Sequence, residues 1–157
     1  NLNSLNLVNS LNEAVIKKGA SFLGICLGMQ LLANSSEEAP GIEGLGWIPG
    51  IVRKLDTNGL RLPHIGFNEL FVENDTLKLF INKNGSSSDF YFVHSFSFHP
   101  SENKNILGCT IYGNKFISAV YNKKIFGVQF HPEKSQSAGL HFLSNFLKIS
   151  FKGNDDG

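Results

Sequence analysis

A cysteine that loses its proton is a strong nucleophile, and the neighbours of Cys26 suit it to that use. It stands in Ser21-Phe-Leu-Gly-Ile-Cys-Leu-Gly-Met-Gln30. The β-type run Phe22–Ile25 stops at the cysteine. Glycines stand two residues before it (Gly24) and two after it (Gly28), and a helix-favouring run, Leu27 to Ala33, follows. This is the G-x-nucleophile-x-G pattern of a strand-to-helix elbow. Such a turn strains the nucleophile's backbone and calls for small neighbours. It also sets the sulfur at a helix N-terminus, where the thiolate is favoured. The N–H of Leu27 is then aimed at an oxyanion formed on the attacked carbon. Taken alone, the stretch fits a small buried core residue equally well, because free cysteine is often buried.

A thiol nucleophile needs a base, and the base needs an orienting group. Phe126-Gly-Val-Gln-Phe-His131-Pro132-Glu133 offers both. Pro132 biases His131 toward extended backbone, in which residues i and i+2 face one side, so Glu133 can reach the imidazole of His131. A strand-end histidine followed by a turn is the alternative for this segment alone. His64, after Pro63, and His94, in the aromatic run Phe90–Phe96, are expected to be structural or to line a cleft. His99 and His141 read as surface or helix residues, and Cys109 as core. No His/Cys pair has zinc-ligand spacing and no phosphate-cradling glycine motif is present, so no metal, cofactor or nucleotide is expected.

These residues need elements to hold them. Leu2, Leu5, Leu11, Val15 and Ile16 recur near helical spacing and end at Lys17-Lys18-Gly19, predicting a helix over residues 1–18. Helix, strand and helix in succession predict an α/β sheet, parallel at the elbow strand. Residues 35–50 read as loop. Strands are expected at Gly50–Lys54, Glu69–Val72, Phe90–Phe98, Leu107–Tyr112, Lys115–Tyr121 and Ile125–Phe130, with turns at Asn84-Gly85, Gly113-Asn114 and Asn122-Lys123. Ser137–Ile149 reads as a closing helix with Leu140, Leu143, Phe146 and Leu147 on one face.

The chain has 157 residues, enough for one domain with a proper core. Lys plus Arg number 14 and Asp plus Glu 13, a net charge of +1 that argues against nucleic acid as the main partner. Its two cysteines, without a C-x-x-C pair, suit the reducing cytoplasm. No apolar stretch has membrane-span length, so no membrane partner is expected, and no secretory leader is seen.

Gly24-Ile-Cys-Leu-Gly-Met-Gln30, with His131-Pro-Glu133 far downstream, resembles the class I (triad-type) glutamine amidotransferases. Within that family, further segments in the same order are similar to the glutaminase subunits of imidazole glycerol phosphate synthases. They are Ser36-Glu-Glu-Ala-Pro-Gly41, Gly44-Leu-Gly-Trp47, Leu62-Pro-His-Ile-Gly-Phe-Asn-Glu69, Tyr91-Phe-Val-His-Ser95 and Phe130-His-Pro-Glu-Lys-Ser135. The resemblance covers nearly the whole chain. It implies a flavodoxin-like mixed sheet flanked by helices, one amidotransferase domain over residues 1–152 and a tail at 153–157.

The resemblance also implies a reaction. Cys26 would attack the side-chain amide of L-glutamine to form a γ-glutamyl thioester. His131, oriented by Glu133, would take the thiol proton and pass a proton to departing ammonia, and water would then release glutamate. Ammonia would go to a (β/α)8-barrel synthase subunit, in a heterodimer, to make imidazole glycerol phosphate in histidine biosynthesis. Leu27, Gln30 and Glu38, with the segment His94, Ser95 and Phe96, match positions around the substrate, Glu38 being suited to its α-ammonium. Phe67, Tyr91 and Lys134 match positions facing the synthase, and Phe67 stands where an indole is common. Family members carry strand, helix and strand ahead of the elbow, with a Pro-Gly-rich oxyanion segment. Here one helix precedes Ser21, so an N-terminally shortened domain lacking those strands is expected. Two other readings share the residues: the same chemistry feeding amidination of a surface-sugar precursor, and an inactive partner-binding module.

Overall fold

The computed structural model describes residues 7–74, 78–80 and 88–152. Leu2 and Leu5 of the first expected helix, the Asn84-Gly85 turn and the tail 153–157 lie outside the described residues. The chain starts with α1 (Leu7–Leu11), which runs on as a π-type helix over Asn12–Lys17 and ends at Gly19, whose φ of +69° turns the chain away. Then come β1 (Phe22–Ile25) and a single helical turn, α2 (Leu27–Gln30). The short β2 (Ser35–Ser36) lies inside the stretch expected to be loop, and β3 (Gly50–Lys54) matches its expected bounds.

The remaining strands are β4 (His64–Val72), β5 (Ser88–His94), β6 (Phe96–Pro100), β7 (Ile106–Tyr112), β8 (Asn114–Asn122) and β9 (Ile125–Val128), before α3 (Gln136–Lys152). Six strands form a mixed sheet in the order β1-β9-β8-β7-β4-β5. Its one parallel pair among the described residues is β1 with β9, where the alternation of helix and strand predicted it. A second sheet has the order β2-β3-β6.

Side chains alternate across the large sheet, as the pleat demands, and feed two cores. Phe116, Ala119, Phe126 and Val128 join Phe90, Phe92, Phe130 and Phe142 in one; Val120 and Ile125 join Met29, Leu32, Trp47, Val52 and Phe98 in the other. The first lies under α3 and the second under α2 and the small sheet, so the strands carrying Cys26 and His131 are packed on both faces. Phe90 and Phe130 stack with centroids 4.0 Å apart, clamping the chain just before His131. No described helix is long and apolar enough to cross a membrane.

Several expected boundaries shift for physical reasons. The run Phe90–Phe98 is two strands in two sheets, broken at Ser95, whose carbonyl accepts from the N–H of Leu55 at 2.9 Å. The strand expected at Glu69 begins at His64 because β5 pairs with it back to His64↔His94. The strand expected to run to Phe130 stops at Val128; past it the N–H of Gln129 still reaches Ser118 of β8, but that of His131 turns to the Tyr91 carbonyl on β5. The helix after the elbow stops at Gln30. In α3 the buried face is Ala138, Phe142, Leu143, Phe146 and Ile149, whereas Leu140 and Leu147 are 68% and 51% exposed. Leu140 stands two residues from Phe142, about 200° around the helix, so the two cannot share a face.

Candidate active site

Cys26 occupies the turn between β1 and α2 with φ 52° and ψ −106°, a conformation a non-glycine residue adopts only under constraint. The constraint is visible on both sides. The N–H of Cys26 donates to the carbonyl of Val128 at 2.8 Å, extending the β1–β9 ladder, and the Cys26 carbonyl accepts from the N–H of Met29 at 3.0 Å. Met29 is fully buried and anchors the turn in the core. The two elbow glycines are not equivalent. A Cβ on Gly24 would come 2.4 Å from the carbonyl oxygen of Gly28, whereas a Cβ on Gly28 would meet nothing within 4 Å. The expectation that both neighbours must be small therefore holds for Gly24 and fails for Gly28.

His131 lies three residues past the end of β9, the parallel neighbour of β1, so it shares the C-terminal edge of the sheet with Cys26. Its N–H donates to the carbonyl of Tyr91 at 2.8 Å, which ties it to β5. Its backbone is extended, at φ −102° and ψ 96°, as the following proline dictates. Nδ1 of His131 and Oε1 of Glu133 are 2.7 Å apart. A carboxylate only accepts, so Nδ1 carries the proton and donates, leaving Nε2 with a lone pair. That Nε2 is buried and has no hydrogen-bond partner. The thiol of Cys26 is turned toward the carbonyl of Val93 at 3.8 Å, and the side-chain nitrogen of Gln129 lies 3.7 Å from Sγ. Thiol and imidazole thus stand at adjacent strand ends without a hydrogen bond joining them.

The electrostatics of the thiol differ from the expectation of a favoured thiolate. Burial pushes the Cys26 thiol above its ordinary value. The N–H of Leu27 and the amide of Gln129 pull it down, and the charges of Glu133 and Glu38 push it up again. A helix of four residues has little dipole to set against burial.

Beside the elbow is a cleft of about 270 Å³ lined by Leu27, Gln30, Ser36, Glu38 and Ile42. It brings three of the predicted substrate residues together: Leu27, which is 61% exposed, Gln30 and the exposed Glu38. His94, Ser95 and Phe96 are not among the residues lining that cleft. Phe96 joins it through its carbonyl, which accepts from Nε2 of Gln30 at 3.2 Å. The His94 ring is buried and turned inward: its Nδ1 donates to the Phe96 carbonyl at 2.8 Å, and its Nε2 lies 3.0 Å from Nδ1 of His64. Burial lowers both imidazoles to about 4, so both are neutral at neutral pH. His94 therefore acts as a strut, not a base.

The three residues predicted for the partner face form one surface cluster. Phe67 is half exposed and meets Tyr91 edge-on at 5.5 Å, and Nζ of Lys134 stands 5.7 Å over the Tyr91 ring. Gln129, fully buried and touching both Cys26 and Gln30, escaped the sequence reading. The signal was available: it is the one polar residue in the apolar run Ile125–Phe130, and a buried polar side chain must have partners. Among the described residues no group of three His, Cys, Asp or Glu is placed to hold a metal.

Residues 4–149 match the family described as glutamine amidotransferase class-I. The chain is 45% identical over 143 residues to the imidazole glycerol phosphate synthase subunit HisH of Zymomonas mobilis, spanning 90% of this chain and 65% of that protein. It is 51% identical to the subunit of the same name from Pyrococcus furiosus over 136 residues, 85% of this chain and 68% of that one. Two solved structures share the fold. One is a glutamine amidotransferase, with a TM-score of 0.68 at 20% identity over 95% of this chain and 70% of that one. The other is a glutamine amidotransferase of Thermotoga maritima, with a TM-score of 0.57 at 21% identity over 96% and 56%. The chain thus spans about two thirds of the length of the two subunits. With the family match running from the first helix through α3, and the elbow cysteine and the His131–Glu133 pair on adjacent strand ends, the chain belongs to the class I glutamine amidotransferases.

Proposed function

We propose that this chain is the glutaminase part of an imidazole glycerol phosphate synthase. It would hydrolyse L-glutamine through Cys26 and hand ammonia to a (β/α)8-barrel subunit. The observation that carries the reading is the strained Cys26 at the end of β1, beside a His131–Glu133 pair at the end of the parallel strand β9. Relatives at 42–51% identity bear the synthase-subunit name, which supports the choice of acceptor.

In this reading glutamine lies in the cleft with its α-ammonium toward Glu38 and its carboxamide at Sγ. The thiol proton moves to the free Nε2 of His131. The sulfur lone pair forms the C–S bond, and the carboxamide oxygen takes the negative charge beside the Leu27 N–H. Collapse of this adduct expels the amine, which takes the His131 proton and leaves as ammonia. Water, deprotonated by the same Nε2, then opens the thioester to glutamate. The Phe67, Tyr91 and Lys134 cluster serves as the docking face for the barrel. Residues 1–152 act as one amidotransferase domain, and unpaired Cys26 and Cys109 are in keeping with a cytoplasmic setting. The test is glutamate release by the full-length subunit with its barrel partner. Cys26→Ser should abolish it, and turnover that survives Cys26→Ser contradicts the reading.

A further inference from the structure

The partners of Cys26 form a chain whose polarity is fixed at its far end. A backbone carbonyl only accepts, so the Gln30 atom 3.2 Å from the Phe96 oxygen is the amide nitrogen. The same nitrogen lies 3.2 Å from the side chain of Gln129, which must present its oxygen there. The Gln129 nitrogen is then left facing Sγ of Cys26 at 3.7 Å. Rotating this amide would set N–H against N–H at Gln30 and oxygen against sulfur. Gln129 is fully buried and its own N–H is held by the Ser118 carbonyl at 2.9 Å, so neither water nor backbone slack relieves that conflict. The Phe96 carbonyl is braced from behind by Nδ1 of His94 at 2.8 Å, and His94 by His64 at 3.0 Å.

From this geometry we propose that Gln129 is a thiolate-stabilising residue. Its locked amide donates to the Cys26 sulfur, favouring the form that exists only after the proton has left. The proposal rests on Cys26 being the nucleophile and adds a second donor to the N–H of Leu27. When the thiol proton passes to Nε2 of His131, the charge left on sulfur is shared by these two donors. When the sulfur pair enters the new C–S bond, the donation weakens and the charge moves to the carboxamide oxygen. An apolar residue at 129 would leave a partly buried thiolate with one donor in a site where desolvation already opposes ionisation.

The test is the pH profile of Cys26 alkylation by iodoacetamide, followed on the Cys26 peptide by mass spectrometry, in the wild-type chain, Gln129→Met and Gln30→Met. Gln129→Met should raise the midpoint by about one unit, an about tenfold slower reaction below it, because the lost bond to a charged acceptor is a strong one. With the partner subunit, kcat should fall by about tenfold while KM stays within about twofold. Gln30→Met frees the amide to rotate and should raise the midpoint by less. An unmoved midpoint in folded Gln129→Met overturns the proposal. If that variant does not fold, Gln30→Met decides: a rise supports the proposal and an unmoved midpoint overturns it. Alkylation needs no glutamine, so a shifted midpoint without any glutaminase turnover sinks the amidotransferase reading and leaves this one standing.

Discussion

Cys26 and His131 are set apart from the other cysteine and histidines by placement more than by type. The cysteine is held at positive φ by two backbone bonds and a buried Met29, and its thiol is disfavoured as an anion by burial. In the proposed reaction, activation therefore falls to the imidazole and to individual donors, not to a helix dipole. The buried pair His64 and His94 has the opposite task. His64 and His94 are buried, His64 stacked on Phe92 and Tyr112 and His94 tilted against Phe116, and both are held to about 4 by burial. Their folded values lie below the ordinary 6.5, so the unfolded chain binds more protons between those limits. Their contribution to stability is full above about pH 6.5 and is lost as pH falls toward about 4. Urea unfolding should show a loss of about 2–4 kcal/mol between about pH 7 and about pH 5. His64→Phe should remove about half of that dependence, and an unchanged slope in the variant would refute the assignment.

The elbow shows how an element turns a sequence pattern into geometry. Gly24 faces the Gly28 carbonyl with no room for a methyl group, and Gly28 faces open space. Gly24→Ala should destabilise the fold by about 1–3 kcal/mol through forced backbone movement. Gly28→Ala should be neutral or add up to about 1 kcal/mol, because alanine favours helix over glycine. Chemical denaturation of the two variants checks the contrast, and equal effects would contradict it. The sequence carried the elbow, β3, the β7–β8 and β8–β9 hairpins and the extent of α3, since each is coded by local period and turn residues. It did not carry the break at Ser95, because Phe90–Pro100 is continuous in β propensity and only the competing partners β4 and β3 divide it. Nor did local pattern reveal the inward turn of His94 or the role of Gln129, since both depend on contacts with residues far away in the chain. Glu38 and Gln30 came from resemblance alone, and the cleft beside Cys26 now gives them a shared wall.

At the scale of the molecule, the packed sheet holds the cleft and an aromatic–lysine surface cluster at separate places. The cleft opens at the C-terminal edge of β1 and β9, and the Phe67, Tyr91 and Lys134 cluster lies on β4, β5 and the turn after His131. Short bonds join the two: the Tyr91 carbonyl accepts from the N–H of His131, and the N–H of Tyr91 donates to the Ser135 hydroxyl oxygen at 2.9 Å. A partner pressing on Tyr91 would act directly on the base. Tyr91→Ala should therefore weaken association with the barrel subunit by about 1–2 kcal/mol, in the range of an interface aromatic. It should also lower partner-stimulated glutamate release, whereas Phe67→Ala should affect association alone. Titration calorimetry with parallel kinetics separates the two, and equal loss of activity at equal occupancy would contradict the link.

In the proposed reaction, Cys26 is the residue that glutamine acylates. Incubation of the full-length subunit and its barrel partner with the glutamine analogue diazo-oxo-norleucine, followed by peptide mapping, tests it most directly. Stoichiometric label is expected on the Cys26 peptide, with none on buried Cys109, protection by glutamine, and no label in Cys26→Ser. A folded complex that stays unlabelled, or that carries the label elsewhere, would contradict it.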